Sequence, residues 1–77
     1  MTSVGIIGGS GYTGAELLRL CAAHPEFNVA FATGDSQAGT RVGDLYPSLI
    51  AAYPSMAFVS WAPDLLEGVD LVFVALP

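Results

Sequence analysis

Cationic side chains are almost missing from this chain: its 77 residues include two arginines, Arg19 and Arg41, no lysine, and seven acidic residues, for a formal net charge of -5. A surface that neutralises nucleic-acid phosphates needs a basic patch, and two arginines do not make one. Cysteine is equally scarce. Cys21 stands alone, so an internal disulfide is impossible and a reducing, cytoplasmic setting is expected. Long apolar runs are missing too: the last strand-like stretch, 71–76, falls far short of the roughly 20 residues that cross a bilayer. The N-terminus also lacks the basic start and unbroken apolar stretch of a secretory leader. The expected protein is soluble, with neither nucleic acid nor membrane as partner.

What is present is apolar and rhythmically punctuated, with a hydrophobic fraction of 53%. Four short β-branched or aromatic runs bounded by turn residues predict strands over 4–8, 28–33, 56–60 and 71–76. The last is unbroken in its hydrophobicity, the pattern of a parallel strand covered on both faces. A helix is predicted from Tyr12–Gly14 to His24, where Pro25 stops it; Leu17, Leu20, Cys21 and His24 recur at helical spacing, with Glu16, Arg19 and Ala23 on another side. A second short helix is predicted over 63–67, between Pro63 and Gly68. The segment 34–54, broken by Gly34, Gly39, Gly43, Pro47 and Pro54, reads as a long loop with one helical stretch at 49–52.

Together these elements predict an α/β fold: the N-terminal portion of a Rossmann-type doubly wound parallel sheet, built on a right-handed βαβ unit. Residues 1–77 form one incomplete domain in this reading. Its final strand would lack a covering helix, so the chain is expected to be the front of a longer protein and marginally stable alone.

The chemistry concentrates in Gly8-Gly9-Ser10-Gly11-Tyr12-Thr13-Gly14. A strand ends at its start and a helix begins at its end, the order in which unpaired helix N–H groups and a positive dipole end can meet a nucleotide phosphate. By position, Gly9 allows the tight turn, Gly11 the approach of the pyrophosphate, and Gly14 the packing of helix on strand. Ser10 and Thr13 bring hydroxyls that either bond phosphate oxygens or cap the helix, and Tyr12 shields the site or anchors the helix. After strand two, Asp35 stands near the spacing at which an acid takes the ribose hydroxyls of NAD. Ser36, Thr40 and Arg41 follow, and an arginine there suits the 2′-phosphate of NADP instead. Ala75, Leu76 and Pro77 lie at the carboxyl edge of the same sheet, where ligands of open α/β folds bind. Cys21 reads as a small buried apolar residue and His24 as a helix terminus.

The stretch from Val4 through Ser10-Gly11-Tyr12-Thr13-Gly14-Ala15-Glu16-Leu17 to Leu20, with His24-Pro25, Ala38-Gly39, Tyr46-Pro47-Ser48-Leu49 and Asp70 to Pro77, resembles the opening of the N-acetyl-gamma-glutamyl-phosphate reductases. The strand-four run is shared with relatives such as aspartate-semialdehyde dehydrogenase. The resemblance implies an enzyme of arginine biosynthesis that uses NADPH to reduce a small-molecule acyl phosphate to N-acetyl-glutamate 5-semialdehyde and phosphate, normally as a homo-oligomer. It also implies a cysteine nucleophile and a histidine acid or base, neither of which falls in this segment. Cys21 does not match the nucleophile's position, so no catalytic residue and no metal ligand is assigned. Family members often carry a serine-arginine type of sequence after strand two, where this chain has Gly34-Asp35; the rest of the match favours NADP. The competing readings are an amino-adipyl-phosphate reductase of lysine biosynthesis and a non-catalytic nucleotide-binding regulatory module.

Overall fold

A computed structural model of the chain describes residues 1–75. Strand β1 (Thr2–Ile7) runs up the middle of a three-stranded parallel sheet, with β2 (Phe27–Ala32) on one side and β3 (Leu71–Val74) on the other. Parallel neighbours on both edges satisfy its backbone groups, which leaves its side chains to settle the packing. Val4 and Ile6 are fully buried, and with Leu18, Cys21, Ala32, Val42, Leu49, Tyr53 and Phe58 they form the core.

Helix α1 (Tyr12–Ala23) links β1 to β2 and buries Gly14, Leu18 and Cys21. The inward stripe therefore differs from the one expected: Leu17 is only partly buried, Leu20 is 51% exposed, and His24 lies outside the helix in the open. The cause is Gly14, which rests on the preceding turn and sets the roll of the helix, so the stripe continues through 18 and 21. His24 ends the helix as expected. Its ring stacks on Phe27 at 3.9 Å between centroids, and its Nδ1 accepts the Glu26 N–H.

The segment 56–60 is not a strand. It makes two isolated bridges, Val59 parallel to Thr33 and Ala57 antiparallel to Arg41. Val59 N–H donates to the Ala32 carbonyl at 3.0 Å, whereas Phe58 N–H donates to the Thr40 carbonyl at 2.9 Å on the other side. With its bonds shared between β2 and the 39–42 segment, the chain never repeats a register long enough to build a ladder. Its Phe58 is nevertheless 1% exposed, the largest fully buried side chain among the described residues. The expected helical stretch at 49–52 begins earlier: a short helix α2 (Val42–Leu45) is followed by a 3-10 turn (Pro47–Leu49) that overlaps it at Leu49, and 50–52 form a turn. Burial of Val42 and Leu49 in the core places these turns, a tertiary signal absent from local composition. The second predicted helix appears as a 3-10 turn, Pro63–Gly68. In β3, Phe73 packs against the core while Val74 is 62% exposed, so the double cover expected for this strand is not supplied by the described residues.

Tyr53 ties the loop to the helix, its hydroxyl donating to the Leu18 carbonyl at 2.6 Å in a buried setting. Burial pushes the Tyr53 phenol up to about 12. The folded state favours the neutral phenol, so this contribution to stability is complete below pH 10, where unfolded tyrosine ionises, and is lost as pH rises to about 12. Chemical denaturation across that window should show stability falling with pH. Tyr53→Phe should lower stability at neutral pH by about 1 kcal/mol and flatten the alkaline slope; an unchanged slope would count against the buried phenol as its cause.

Candidate functional site

The chain leaves β1 through Gly8, whose φ of 84° lies in the left-handed region that glycine adopts freely. Sequence position gave the tight turn to Gly9; the structure gives the left-handed conformation to Gly8 and buries Gly9 against β2, where a methyl would meet Ala32 Cβ at 2.9 Å. Thr33 fastens this turn. Its Oγ1 accepts the Gly8 N–H at 3.0 Å, and its carbonyl accepts the Gly9 N–H at 2.8 Å. At Gly14 the helix backbone meets the turn so closely that an added methyl would fall 2.5 Å from the Gly8 oxygen and nearer still to Gly9 Cα. Gly11 is the opposite case: nothing lies nearer than 3.9 Å to the methyl position, which opens to solvent.

Gly11 is the N-cap of α1, and no side chain caps the helix, so neither Ser10 nor Thr13 serves that purpose. Ala15 N–H makes the first turn's bond, to the Gly11 carbonyl at 2.9 Å, and the amides of Tyr12, Thr13 and Gly14 precede the helical ladder. No acidic residue stands in the first turn. Glu16, the nearest, bonds Arg19 on the outer face, and that hydrogen bond holds its carboxyl below the usual range. The positive end of the helix therefore meets no acidic side chain from its own first turn.

Beside it lies a cavity of about 550 Å³ at the carboxyl edge of the sheet. Its wall takes Ile7, Gly8, Ser10 and Gly11 from the end of β1 and the turn, Thr33, Asp35 and Ser36 from the end of β2, Ala75 after β3, and Trp61. Of the residues expected to hold a cofactor, the structure brings Ser10, Gly11, Ser36 and Ala75 together here. Tyr12, 90% exposed, and Thr13 sit on the adjoining first turn, and Gly9 and Gly14 are buried beneath it. Leu76 and Pro77 lie outside the described residues. Asp35 belongs to the wall; Thr40 and Arg41 do not, and Arg41 instead begins α2. Among the described residues no cation lines the cavity.

Trp61 escaped sequence reasoning, although a lone tryptophan directly after an apolar run that ends at the carboxyl edge was the available signal. A second cavity of about 360 Å³ opens between the end of α1, the start of β2 and the 52–56 segment. It holds Cys21, whose thiol burial pushes up, and no charged residue lines it. A neutral buried thiol is a poor nucleophile, which agrees with Cys21 as a core residue. Among the described residues no cluster of His, Cys, Asp and Glu is placed to hold a metal, and no helix is long and apolar enough to cross a membrane.

The family model of the semialdehyde dehydrogenase NAD-binding domain matches residues 3–77. Over its full length the chain is 52% identical to the N-acetyl-gamma-glutamyl-phosphate reductase of Ectopseudomonas mendocina and 49% identical to those of Azotobacter vinelandii and Pseudomonas putida. It spans 22% of the length of these curated relatives.

Alanine at Gly11 and at Gly14 should separate space from stability. Inside a helix, Gly→Ala ordinarily stabilises by about 0.5–1 kcal/mol, yet Gly14→Ala should destabilise by at least about 2 kcal/mol because the methyl meets backbone that cannot yield. Gly11→Ala should leave the thermal midpoint near that of the parent. A Gly14→Ala protein as stable as the parent would contradict the close approach.

Proposed function

The chain belongs to the semialdehyde dehydrogenase NAD-binding domain family, and on that premise we propose that it is the cofactor-holding front of a full-length N-acetyl-gamma-glutamyl-phosphate reductase. That enzyme reduces the acyl phosphate with NADPH, releasing N-acetyl-glutamate 5-semialdehyde and phosphate in arginine biosynthesis. The observation that carries the reading is the open face of Gly11 at an uncapped helix start, facing a cavity at the carboxyl edge of a parallel sheet. Identity of about half over the whole chain to relatives bearing that name supports it.

In this reading the backbone N–H groups from Gly11 to Thr13, with the Ser10 hydroxyl, hold the pyrophosphate, while Gly9 and Gly14 shape the turn beneath. Ser36 and Asp35 border the ribose, and Trp61 and Ala75 wall the cavity; Leu76 and Pro77 are further cofactor contacts by their place in the sequence alone. The bound dinucleotide supplies hydride to the acyl carbon. The chain's own residues position it and take no part in bond making: Cys21 is buried and neutral at the other cavity, so the nucleophile and its acid or base belong to the remainder of the enzyme, and this segment alone is inactive. Residues 1–77 are the first part of the NAD(P)-binding domain, and the full enzyme works in the cytoplasm as a homo-oligomer.

Asp35 makes the ribose end unusual for NADPH. Its carboxylate shares the cavity wall with Ser36 and no cation, so it repels a 2′-phosphate. Asp35→Asn in the full-length enzyme should lower KM for NADPH about fivefold, equivalent to about 1 kcal/mol, and leave KM for NADH equal or higher. A lower KM for NADH than for NADPH in the unmodified enzyme would overturn the choice of NADPH. Gly11→Val should abolish cofactor binding with the fold kept, since the side chain would enter the open face; near-normal affinity measured by calorimetry would remove the turn from the site.

A further inference from the structure

Tyr46 lies between α2 and Pro47, far in sequence from the glycine turn, yet its hydroxyl donates to the Ser10 carbonyl at 2.6 Å. The residue is firmly set. Its N–H donates to the Val42 carbonyl at 2.9 Å, its carbonyl accepts the Leu49 N–H at 2.9 Å, and its ring packs against the core. The bonded carbonyl belongs to the same peptide as the Gly11 N–H, and a trans peptide holds the two pointing in opposite directions. Ser10 and Gly11 both line the cavity, whereas Tyr46, which holds the Ser10 carbonyl, is not among its lining residues.

Without that bond the peptide has little to hold it. Gly11 carries no Cβ to resist rotation of the Ser10–Gly11 peptide, and among the described residues its N–H finds only the Gly8 oxygen at 3.4 Å, at the weak limit for such a bond. A rotated peptide would offer a carbonyl oxygen to an incoming anion in place of a donor. We propose that Tyr46 is a positioning residue for the dinucleotide pyrophosphate: by anchoring the Ser10 carbonyl it keeps the Gly11 amide in its donor orientation. The inference rests on the cofactor reading above and adds to it a residue outside the cavity wall.

Tyr53 supplies a matched control, because its hydroxyl makes a bond of the same 2.6 Å length to a main-chain carbonyl, that of Leu18, away from the turn. In the full-length enzyme, Tyr46→Phe should raise the calorimetric Kd and the KM for NADPH about tenfold. kcat should stay within about twofold, with no change in KM for the acyl phosphate. Adenosine 2′-monophosphate, which has the base and the 2′-phosphate but no pyrophosphate, should compete equally well against both proteins. Tyr53→Phe should lower the thermal midpoint and leave NADPH affinity intact. Unchanged NADPH affinity in Tyr46→Phe would overturn the proposal alone, as would equal weakening by both substitutions or parallel loss of adenosine 2′-monophosphate binding. An unmodified enzyme that fails to bind NADPH would overturn the cofactor reading and this inference with it.

Discussion

The approach of Gly14 to the backbone of Gly8 and Gly9 is the constraint from which the rest follows. Two stretches of main chain meet where any side chain would hold them apart. That contact sets the roll of α1, and the roll sends Leu18 and Cys21 into the core with Val4 and Ile6. It also sets where the helix begins relative to β1. The amides of the first turn then stand beside the carboxyl edge of the sheet, so the packing and the geometry of the proposed site have one origin.

Much of this was legible in the sequence because its signals are local. An apolar run, a glycine cluster and a helical run ending at Pro25 delimit β1, the turn and α1 without reference to distant residues. What stayed hidden depended on tertiary contact. The inward stripe of α1 turns on Gly14 rather than on the spacing of Leu17, Leu20 and His24. The 56–60 run has strand composition, but its hydrogen bonds divide between two neighbours. Val42 and Leu49 place the turns of the middle segment by burial, against the glycines and prolines that read as loop.

The site divides in the same way. Ser10, Gly11, Ser36 and Ala75 follow strand ends, and any parallel sheet gathers strand ends along one edge. Thr33 also follows a strand end, whereas Trp61 and Tyr46 enter because separate segments fold over that edge, and spacing carries no trace of such a meeting. Charge makes the division sharper. The chain has a net charge of -5 and, among the described residues, no cation in the cavity wall, so the proposed pyrophosphate site relies on main-chain dipoles and the Ser10 hydroxyl. Such dipoles act over short distances and only in fixed orientation.

Trp61 has a consequence of another kind. It is the single tryptophan of these 77 residues, it is 47% exposed, and it shares the wall of the 550 Å³ cavity with the glycine turn. Indole emission responds to the polarity and to the aromatic neighbours around the ring. The segment thus carries an optical reporter built into the chamber itself, one that needs no label and responds to what enters.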